Sequence, residues 1–362
     1  MEPILIINTG SSTFKWALLS SDDERSLGGS TEEWSAEDAL TRQAQIEEKL
    51  RTLPTCRAVG HRVVHGGSTF QDSVLIDDDA RRELEMLLML DPLHMRPALC
   101  GIDAAREVFP QASQVAAFDT AFHRTLGEAA SGYALPADLT QKWGLRRFGF
   151  HGLSVAWSID WVRRHHAPLP ARVIVAHLGS GCSVTAVREG KSVDTSMGFT
   201  PLEGLMMGTR AGSVDPGLLI HLQARCGVSL AELEDLLIHK SGLLGVSGIS
   251  ADLRKVVAAA DAGDPGAKLA YDRFILYARR GVGAMAGVLG GADMLIFTGG
   301  IGEHDPHVRR DIAAALGRVS IDARNEAGAE GLLSPRRSAV QVLMIHARED
   351  LVVLREVVRL LS

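Results

Sequence analysis

Four ionisable side chains lie in apolar or glycine-rich surroundings, where they could form a site for anionic substrates. Arg62 lies in "GHRVVHGG", Asp119 follows the apolar run "QVAAF", His151 lies within "FGFHG", and Arg210 lies in a loop with few charges. Each alone has a structural interpretation, because a buried charge needs a partner, and Asp119 is a natural partner for Arg62. Together, two arginines, a histidine and an aspartate describe a site where anions are brought together.

Glycine- and serine-rich turns add a second signal. The stretches Ile4 to Ser20 and Val173 to Gly190 each read as strand, turn, strand, and a glycine turn ends the apolar run within Met294 to His304. Backbone N–H groups at such turns bind anions, and Lys15 adds a charge beside the first turn. The P-loop pattern is absent. The combination suits a nucleoside triphosphate and a second anion, since phosphoryl transfer depends mainly on positioning and charge neutralisation.

The elements that must position these residues alternate between strands and helices. The two hairpins suggest a duplicated architecture, although Gly-Ser turns are common enough to resemble each other by chance. Apolar periodicity predicts helices at Asp78 to Leu90, Glu232 to Ile238, Pro265 to Val288, Val308 to Leu316 and Glu349 to Leu361. This alternation predicts an α/β fold.

Composition excludes several classes of protein. At 362 residues we expect two domains, with a first crossing between them near Gly152 to Ser154. The net charge of −6 without a long basic run argues against a nucleic-acid partner. No apolar stretch is long enough to span a membrane, and the N-terminus lacks the basic region of a signal peptide. Four scattered cysteines without a C-x-x-C motif fit a reducing cytoplasm.

The motifs resemble those of the acetate kinase family, within the larger group of acetate and sugar kinases, heat-shock chaperone ATPases and actin. They occur in the family's order over nearly the whole chain, and the segment Asp194 to Pro216 is highly specific. The matching motifs are "NTGSSTFK", "GHRVVHGG", "FDTAFH", "FGFHG", "HLGSGCS", "DTSMGFTPLEGLMMGTRAGSVDP", "SGLLGVSGIS" and "FTGGIGEH".

The resemblance implies a duplicated ribonuclease-H-like (actin-like ATPase) fold with the active site in a cleft between two domains. It implies an N-terminal domain at 1–152 plus 349–362, with a returning C-terminal helix, and a nucleotide-binding and dimerisation domain at 153–348. The implied activity is reversible transfer of the ATP γ-phosphoryl group to acetate, giving acetyl phosphate and ADP. The family typically forms cytoplasmic homodimers.

Roles are carried over position by position. The resemblance implies catalytic roles for Arg62, Asp119, His151 and Arg210, with Arg62 also holding the substrate carboxylate. Asn8 and Glu349 match positions that help place Mg²⁺, with Mn²⁺ as an alternative. The matched apolar pocket for the acetate methyl group is Val64, Leu93, Phe150 and Pro201. The matched nucleotide-binding residues are Lys15, Ser11, Ser12, His177, Leu178, Gly179, Ser180, Gly181, Asp252, Leu253, Arg254, Gly300, Ile301, Gly302, Glu303 and His304.

Two alternatives stay open at this point. A propionate or butyrate kinase could use the same scaffold, because one methylene changes discrimination by only about 1–3 kcal/mol. An actin- or chaperone-like protein would instead couple nucleotide binding to a conformational change, and it would lack an arginine that holds a carboxylate. One departure from the family pattern bears on the nucleotide: Ser180 stands where asparagine is usual. Serine keeps a hydrogen-bond donor but has a shorter reach.

Overall fold

A computed structural model describes residues 3–10, 13–33, 39–317, 319, 321 and 330–362 of the chain. The chain divides into two compact units. The first unit comprises Met1–Arg124, Phe150–Trp157 and Arg348–Ser362, and the second comprises Thr125–Gly149 and Ser158–Ala347. The domain boundaries expected from the sequence stay a prediction. Among the described residues, no helix combines the length and apolar character needed to cross a lipid bilayer.

The described strands and helices alternate along the chain. The strands are β1 Ile4–Thr9, β2 Thr13–Leu19, β3 Ser26–Glu33, β4 Ala58–Val63, β5 Val74–Leu75, β6 Ser113–Phe118, β7 Arg172–Leu178, β8 Cys182–Arg188, β9 Lys191–Thr195, β10 Met294–Thr298, β11 Gly331–Leu332 and β12 Gln341–Met344. The α-helices are α1 Ala39–Leu50, α2 Asp78–Met86, α3 Pro92–Val108, α4 Glu128–Ser131, α5 Ala137–Trp143, α6 Gly152–His165, α7 Pro216–Cys226, α8 Leu230–His239, α9 Gly242–Ser247, α10 Leu253–Asp261, α11 Pro265–Leu289, α12 Gly299–His304, α13 Pro306–Ala313 and α14 Glu349–Leu361. Short 3₁₀ helices lie at Leu87–Met89, Ala121–Thr125 and Ala314–Leu316.

Each unit contains one six-stranded mixed sheet, and the two sheets have the same topology. The strand order is β3-β2-β1-β4-β6-β5 in the first unit and β9-β8-β7-β10-β12-β11 in the second. In both, an antiparallel hairpin is followed by two parallel strands, and a short antiparallel strand closes the edge. The predicted duplicated α/β fold is therefore confirmed, and β1–β2 and β7–β8 are equivalent hairpins.

Local capping explains where several helices begin. The chain has four Asp-Pro pairs, and in each the aspartate caps a helix whose first residue is the proline. Asp91 accepts a hydrogen bond from the His94 amide, and Asp264 accepts one from the Ala267 amide. Aspartate satisfies an amide that lacks an intrahelical partner, while proline at the first position has no N–H to lose.

The predicted helices are confirmed with small shifts. The pattern at Asp78 to Leu90 corresponds to α2 and the 3₁₀ helix after it. The sequence reading missed α3, because Pro97 interrupts its pattern, yet α3 is one continuous helix with Pro97 buried. In the second unit α11 packs across β7, β8 and β9 and buries one face of small and apolar residues.

Candidate active site

Three predicted site residues of the first unit form a row across its sheet. Asn8 of β1 pairs in register with Lys15 of β2 and with Arg62 of β4. Residues in direct register project from the same face of a sheet, so these three side chains are neighbours on one face. Lys15 is exposed, whereas Asn8 and Arg62 are half-buried. The three adjacent strands thus bring an amide and two cations together near the carboxyl end of β1.

Arg62 is held by two carboxylates. Its Nε and Nη2 atoms donate to the two oxygens of Asp119 at 3.0 and 2.6 Å, and its Nη1 lies 2.9 Å from Glu349 Oε2. Asp119 directly follows β6, and its amide donates to the Val63 carbonyl. Burial lowers the pKa of Arg62, but the charges of Asp119 and Glu349 more than offset this and raise it. These contacts use three of the five guanidinium N–H groups, so donors remain for a ligand carboxylate.

Glu349 reaches Arg62 because α14 packs tightly on β4. An added Cβ at Gly60 would lie 2.6 Å from Val353 Cγ1 and 2.8 Å from Val357 Cγ2, both on the packed face of α14. The missing side chain at Gly60 therefore allows the close approach. Because Glu349 lies one helical turn before Val353, the same packing sets the position of its carboxylate over β4.

His151 is fixed through the backbone of its two neighbours. The Phe150 carbonyl lies 3.0 Å from His123 Nε2, and the Gly152 amide donates to the Asp119 carbonyl at 2.9 Å. His151 itself has a φ of +58°, in the left-handed region that non-glycine residues seldom adopt. A side chain at residue 152 would overlap the Asp119 carbonyl oxygen. His151 is thus held next to the Asp119 backbone in a strained conformation.

The four residues predicted to line the methyl pocket belong to different units of the chain. Val64 and Leu93 are half-buried and Phe150 is buried, all in the first unit. The Phe150 ring stands edge-on to His65, with ring centroids 5.3 Å apart. Leu93 lies in the first turn of α3, which Asp91 caps. Pro201 belongs to the second unit.

In the second unit, the turn between β7 and β8 packs against two other glycine-containing segments. The Gly208 amide donates to the Ser180 carbonyl at 3.3 Å. An added Cβ at Gly179 would lie 3.9 Å from the Gly300 nitrogen at the start of α12. These segments lie at the carboxyl ends of β7 and β10, the edge where open α/β sheets bind ligands. Ser180 and Gly300 are exposed there.

Glu303 anchors α12 to the chain after β12. Its Oε1 accepts hydrogen bonds from the amides of Gly299 and Ala347, at 3.0 and 2.9 Å, and its Oε2 lies 2.8 Å from His346 Nδ1. Buried Arg309 donates to the carbonyls of Gly302 and Glu303. Glu303, one of the residues predicted to bind the nucleotide, therefore joins the start of α12 to the segment after β12.

The other predicted nucleotide residues differ in accessibility. Asp252 caps α10 and forms an ion pair with Arg254, whose side chain is 88% exposed. Leu178 and Leu253 are core residues, so they could reach a ligand only through their backbone. His177 and Ile301 are half-buried, Gly181 and Gly302 are buried, and His304 is exposed with its Nδ1 2.8 Å from the Gly300 carbonyl. Ser11 and Ser12 lie outside the described residues.

Arg210 lies between the segment carrying Pro201 and the β7–β8 turn. Its Nη1 donates to the Pro201 carbonyl at 3.0 Å. Burial raises the pKa of the Cys182 thiol to about 12, while the hydrogen bond to the Gly179 carbonyl and the positive charge of Arg210 act in the opposite direction. The Met207 amide donates to the Arg210 carbonyl and the adjacent Gly208 amide donates to the Ser180 carbonyl, so the Arg210 backbone is linked to this turn.

Sequence reasoning missed a cluster that holds the Pro201 segment. Arg147 Nη2 donates to Glu203 Oε1 at 2.7 Å, and the Tyr133 hydroxyl donates to Glu203 Oε2 at 2.6 Å. The available signal was Glu203 itself, the one acidic residue in the otherwise uncharged stretch 195–209. The sequence reading also paired Glu349 only with a metal, whereas the structure places it on Arg62.

Two sheets of the same topology, each with a glycine-containing turn in its first hairpin, define a duplicated α/β fold of the actin-like ATPase type. The model of the acetokinase family matches residues 38–355. The chain therefore belongs to the acetokinase family, and the predicted family and enzyme class are confirmed. An acetate kinase from Symbiobacterium thermophilum is 40% identical over 397 aligned positions, covering 99% of each chain.

Solved structures give the same assignment. The structure of Porphyromonas gingivalis acetate kinase matches with a TM-score of 0.90 and 33% identity, covering 100% of both chains. A propionate kinase from Francisella tularensis matches with a TM-score of 0.89 and 35% identity, covering 98% of this chain and 99% of its own. The fold is therefore shared with kinases named for two different short carboxylates.

Proposed function

We propose that this protein transfers the γ-phosphoryl group of ATP to acetate, reversibly, giving acetyl phosphate and ADP. The observation that carries the proposal is the Arg62–Asp119 pair, in which two parallel hydrogen bonds fix the guanidinium and leave N–H groups for a carboxylate. Family membership supplies the reaction class. The paired carboxylate of Asp119 is then a positioning group for Arg62 and is not needed as a general base.

The chemistry agrees with these assignments. Acetate is ionised at neutral pH, because carboxylic acids titrate near about pH 4, so the nucleophile needs no activation. The obstacle is repulsion between the carboxylate and the triphosphate. An oxygen of acetate bound to Arg62 attacks the γ-phosphorus in line, the new O–P bond forms, and the bond to the ADP oxygen breaks. His151 and Arg210 stabilise the charge on the transferring phosphoryl oxygens.

Asn8 and Glu349 are suited to holding Mg²⁺, or Mn²⁺ in its place. Mg²⁺ typically takes one or two protein oxygens and completes its coordination with water and phosphates. Asn8 pairs in register with Arg62, and Arg62 Nη1 lies 2.9 Å from Glu349 Oε2, so both of these side chains are next to the same guanidinium. When bound, the ion would shield the negative charge of the nucleotide phosphates.

The direct test is a hydroxylamine assay, which traps acyl phosphate as a hydroxamate. We expect ATP-dependent hydroxamate formation with acetate exceeding that with propionate and butyrate. A higher kcat/KM with propionate would replace acetate with the substrate named for the Francisella neighbour. ATP hydrolysis that does not depend on a carboxylate and gives no hydroxamate would instead support the conformational ATPase.

Two substitutions test the assigned arginines. Arg62→Ala and Arg210→Ala should each lose most turnover while the protein remains folded. Arg172→Ala is the matched control, since Arg172 also pairs with a carboxylate, Asp293, but lies at the start of β7. Near-normal turnover in either test variant would remove that arginine from the mechanism.

We further propose that the protein is a cytoplasmic homodimer, as the family resemblance implies. In the described part of the chain α7 buries none of its residues, and Leu218 and Ile220 on this helix are 47% and 66% exposed. Exposed apolar side chains grouped in this way are typical of subunit interfaces. Sedimentation analysis of the wild type and of Ile220→Glu would test the dimer, which we expect the substitution to weaken.

A further inference from the structure

The loop from Thr195 to Gly204 in the second unit is held by a network of charged and polar side chains. Arg147 Nη1 donates to the carbonyls of Thr195, Ser196 and Met197, at 3.1, 3.3 and 3.1 Å, while its Nη2 pairs with Glu203. One guanidinium therefore fixes the beginning of the loop and, through Glu203, its end.

Tyr133 links the same carboxylate to the middle of the loop. Its hydroxyl donates to Glu203 Oε2 and accepts a hydrogen bond from the Phe199 amide at 2.7 Å. Burial and the adjacent Glu203 raise the pKa of Tyr133 to about 12, so the hydroxyl remains protonated and continues to donate. The loop packs closely around this contact, because an added Cβ at Gly198 would overlap Glu203 Oε2 and the Tyr133 hydroxyl.

Arg210 is connected to this network through the backbone of Pro201. Pro201 lies between Phe199 and Glu203, and its carbonyl accepts the hydrogen bond from Arg210 Nη1. The end of the loop is fixed again by Ser213, whose hydroxyl accepts from the Gly204 amide and whose amide donates to the Gly204 carbonyl. The position of the Pro201 carbonyl thus depends on the contacts that Tyr133, Arg147 and Glu203 make on either side of it.

We propose that Tyr133, Arg147 and Glu203 are positioning residues that set the orientation of the Arg210 guanidinium through the Pro201 carbonyl. This inference rests on the proposed role of Arg210 in phosphoryl transfer. A displacement of about 1 Å in a catalytic group can lower the rate by about 10²-fold, so a network that fixes the loop affects turnover without touching a substrate.

The test compares Arg147→Lys with Arg172→Lys. Both replacements keep the positive charge but remove the planar guanidinium group from an ion pair of the second unit. Arg172 differs because it bonds Asp293 and the Gly290 carbonyl, away from the loop. We expect Arg147→Lys to lower kcat by about 10- to 100-fold with the KM for ATP nearly unchanged. Arg172→Lys should leave kcat unchanged.

A double-mutant comparison of kcat distinguishes a positioning role for Arg147 from a general effect on stability. In an Arg210→Ala background the side chain to be positioned is gone, so adding Arg147→Lys should lower the residual rate by less than about twofold. An equal fold-loss of kcat in both backgrounds would overturn the proposal, as would equal effects of the Arg147 and Arg172 variants. Tyr133→Phe, which removes a single oxygen atom, gives the same comparison if Arg147→Lys fails to fold. Absence of hydroxamate formation by the wild type would count against the proposed function instead.

Discussion

Arg62 and Asp119 meet in a two-pronged ion pair in which one carboxylate oxygen faces Nε and the other faces Nη2. Asp119 is 1% exposed, and the Arg62 side chain is 18% exposed. The arginine that would bind the substrate carboxylate is therefore already oriented by a buried protein carboxylate. Such pre-orientation lowers the entropic cost of binding a small anion.

Removing the charge of Asp119 should impair catalysis more than folding. Asp119→Asn keeps the shape of the side chain but weakens its hold on Arg62, so we expect a higher KM for acetate and a kcat lowered by about 10²-fold or more. Acyl-hydroxamate kinetics measure both. The matched control is Asp103→Asn, because Asp103 makes the same two-pronged contact with Arg81, at 2.7 Å for each bond. Equal losses of activity in the two variants would contradict the assignment.

Filling the space beside Gly60 should displace α14. Gly60→Ala places a methyl group against Val353 and Val357, and we expect it to reduce the free energy of unfolding by about 1–3 kcal/mol and to lower activity by shifting Glu349. Adding Val353→Ala should restore part of the lost free energy of unfolding and part of the lost activity. Urea unfolding and hydroxamate kinetics provide the readouts. Gly127→Ala, at a residue with open space around it, is the control. A Gly60→Ala protein with normal activity would show that α14 packing does not set the site.

The imidazole of His151 should matter for turnover while its backbone conformation matters for stability. Asparagine tolerates a left-handed φ, so His151→Asn should fold normally yet lower kcat by about 10²-fold or more. His151→Val should lose stability as well, because a β-branched residue is strained there. Thermal unfolding and kinetics separate the two effects. The matching control is Glu189→Asn, at another non-glycine residue with positive φ. Unchanged kcat in His151→Asn would rule out a catalytic role.

Two buried histidines should make the first unit sensitive to acid. Burial lowers the pKa of His61 to about 4, opposed by its hydrogen bond to Gln114, and burial likewise lowers the pKa of His123 to about 4, opposed by its bond to the Phe150 carbonyl. The unfolded chain binds protons more readily below its ordinary histidine pKa of 6.5. The free energy of unfolding should therefore fall as pH drops from 6.5 towards 4, by at most about 1.4 kcal/mol per pH unit for each histidine.

His61→Gln checks this pH dependence. Its free energy of unfolding should differ less between about pH 7.5 and about pH 5 than that of the wild type, because one titrating group is gone. Urea unfolding at both values gives the comparison, and exposed His239→Gln at the end of α8 serves as the control. A pH dependence identical to the wild type in His61→Gln would refute the assignment of acid sensitivity to this residue.

Replacing Ser180 with asparagine should strengthen nucleotide binding. Ser180 is exposed in the turn between β7 and β8, so a longer amide can be accommodated and can extend further towards a phosphate. We expect a lower KM for ATP with little change in kcat, measured with ATP and with GTP. The control is Ser26→Asn, the same replacement at an exposed serine of β3 in the first unit. A KM raised by Ser180→Asn would argue against nucleotide contact at this turn.

Local signals in the sequence indicated the hairpins, several of the helices and the chemical types of the candidate site residues. Short apolar runs on either side of Gly-Ser turns indicate β1, β2, β7 and β8, and the Asp-Pro pairs define helix starts by capping, which depends on residues within a few positions of each other. The duplicated fold could be predicted because each half carries the same local pattern. The motifs likewise predicted Arg62, Asp119, His151 and Arg210 as candidate site residues.

Only the tertiary structure determined which of these residues form ion pairs and hydrogen bonds with each other. Glu349 reaches Arg62 because α14 returns to β4 and Gly60 leaves room for Val353. This complementarity joins residues that are far apart in the sequence, so it has no local pattern. Tyr133, Arg147 and Glu203 meet for the same reason, since their contacts arise from the packing of separate segments. Capping and periodicity act over one or two helical turns, whereas these ion pairs depend on how whole elements pack.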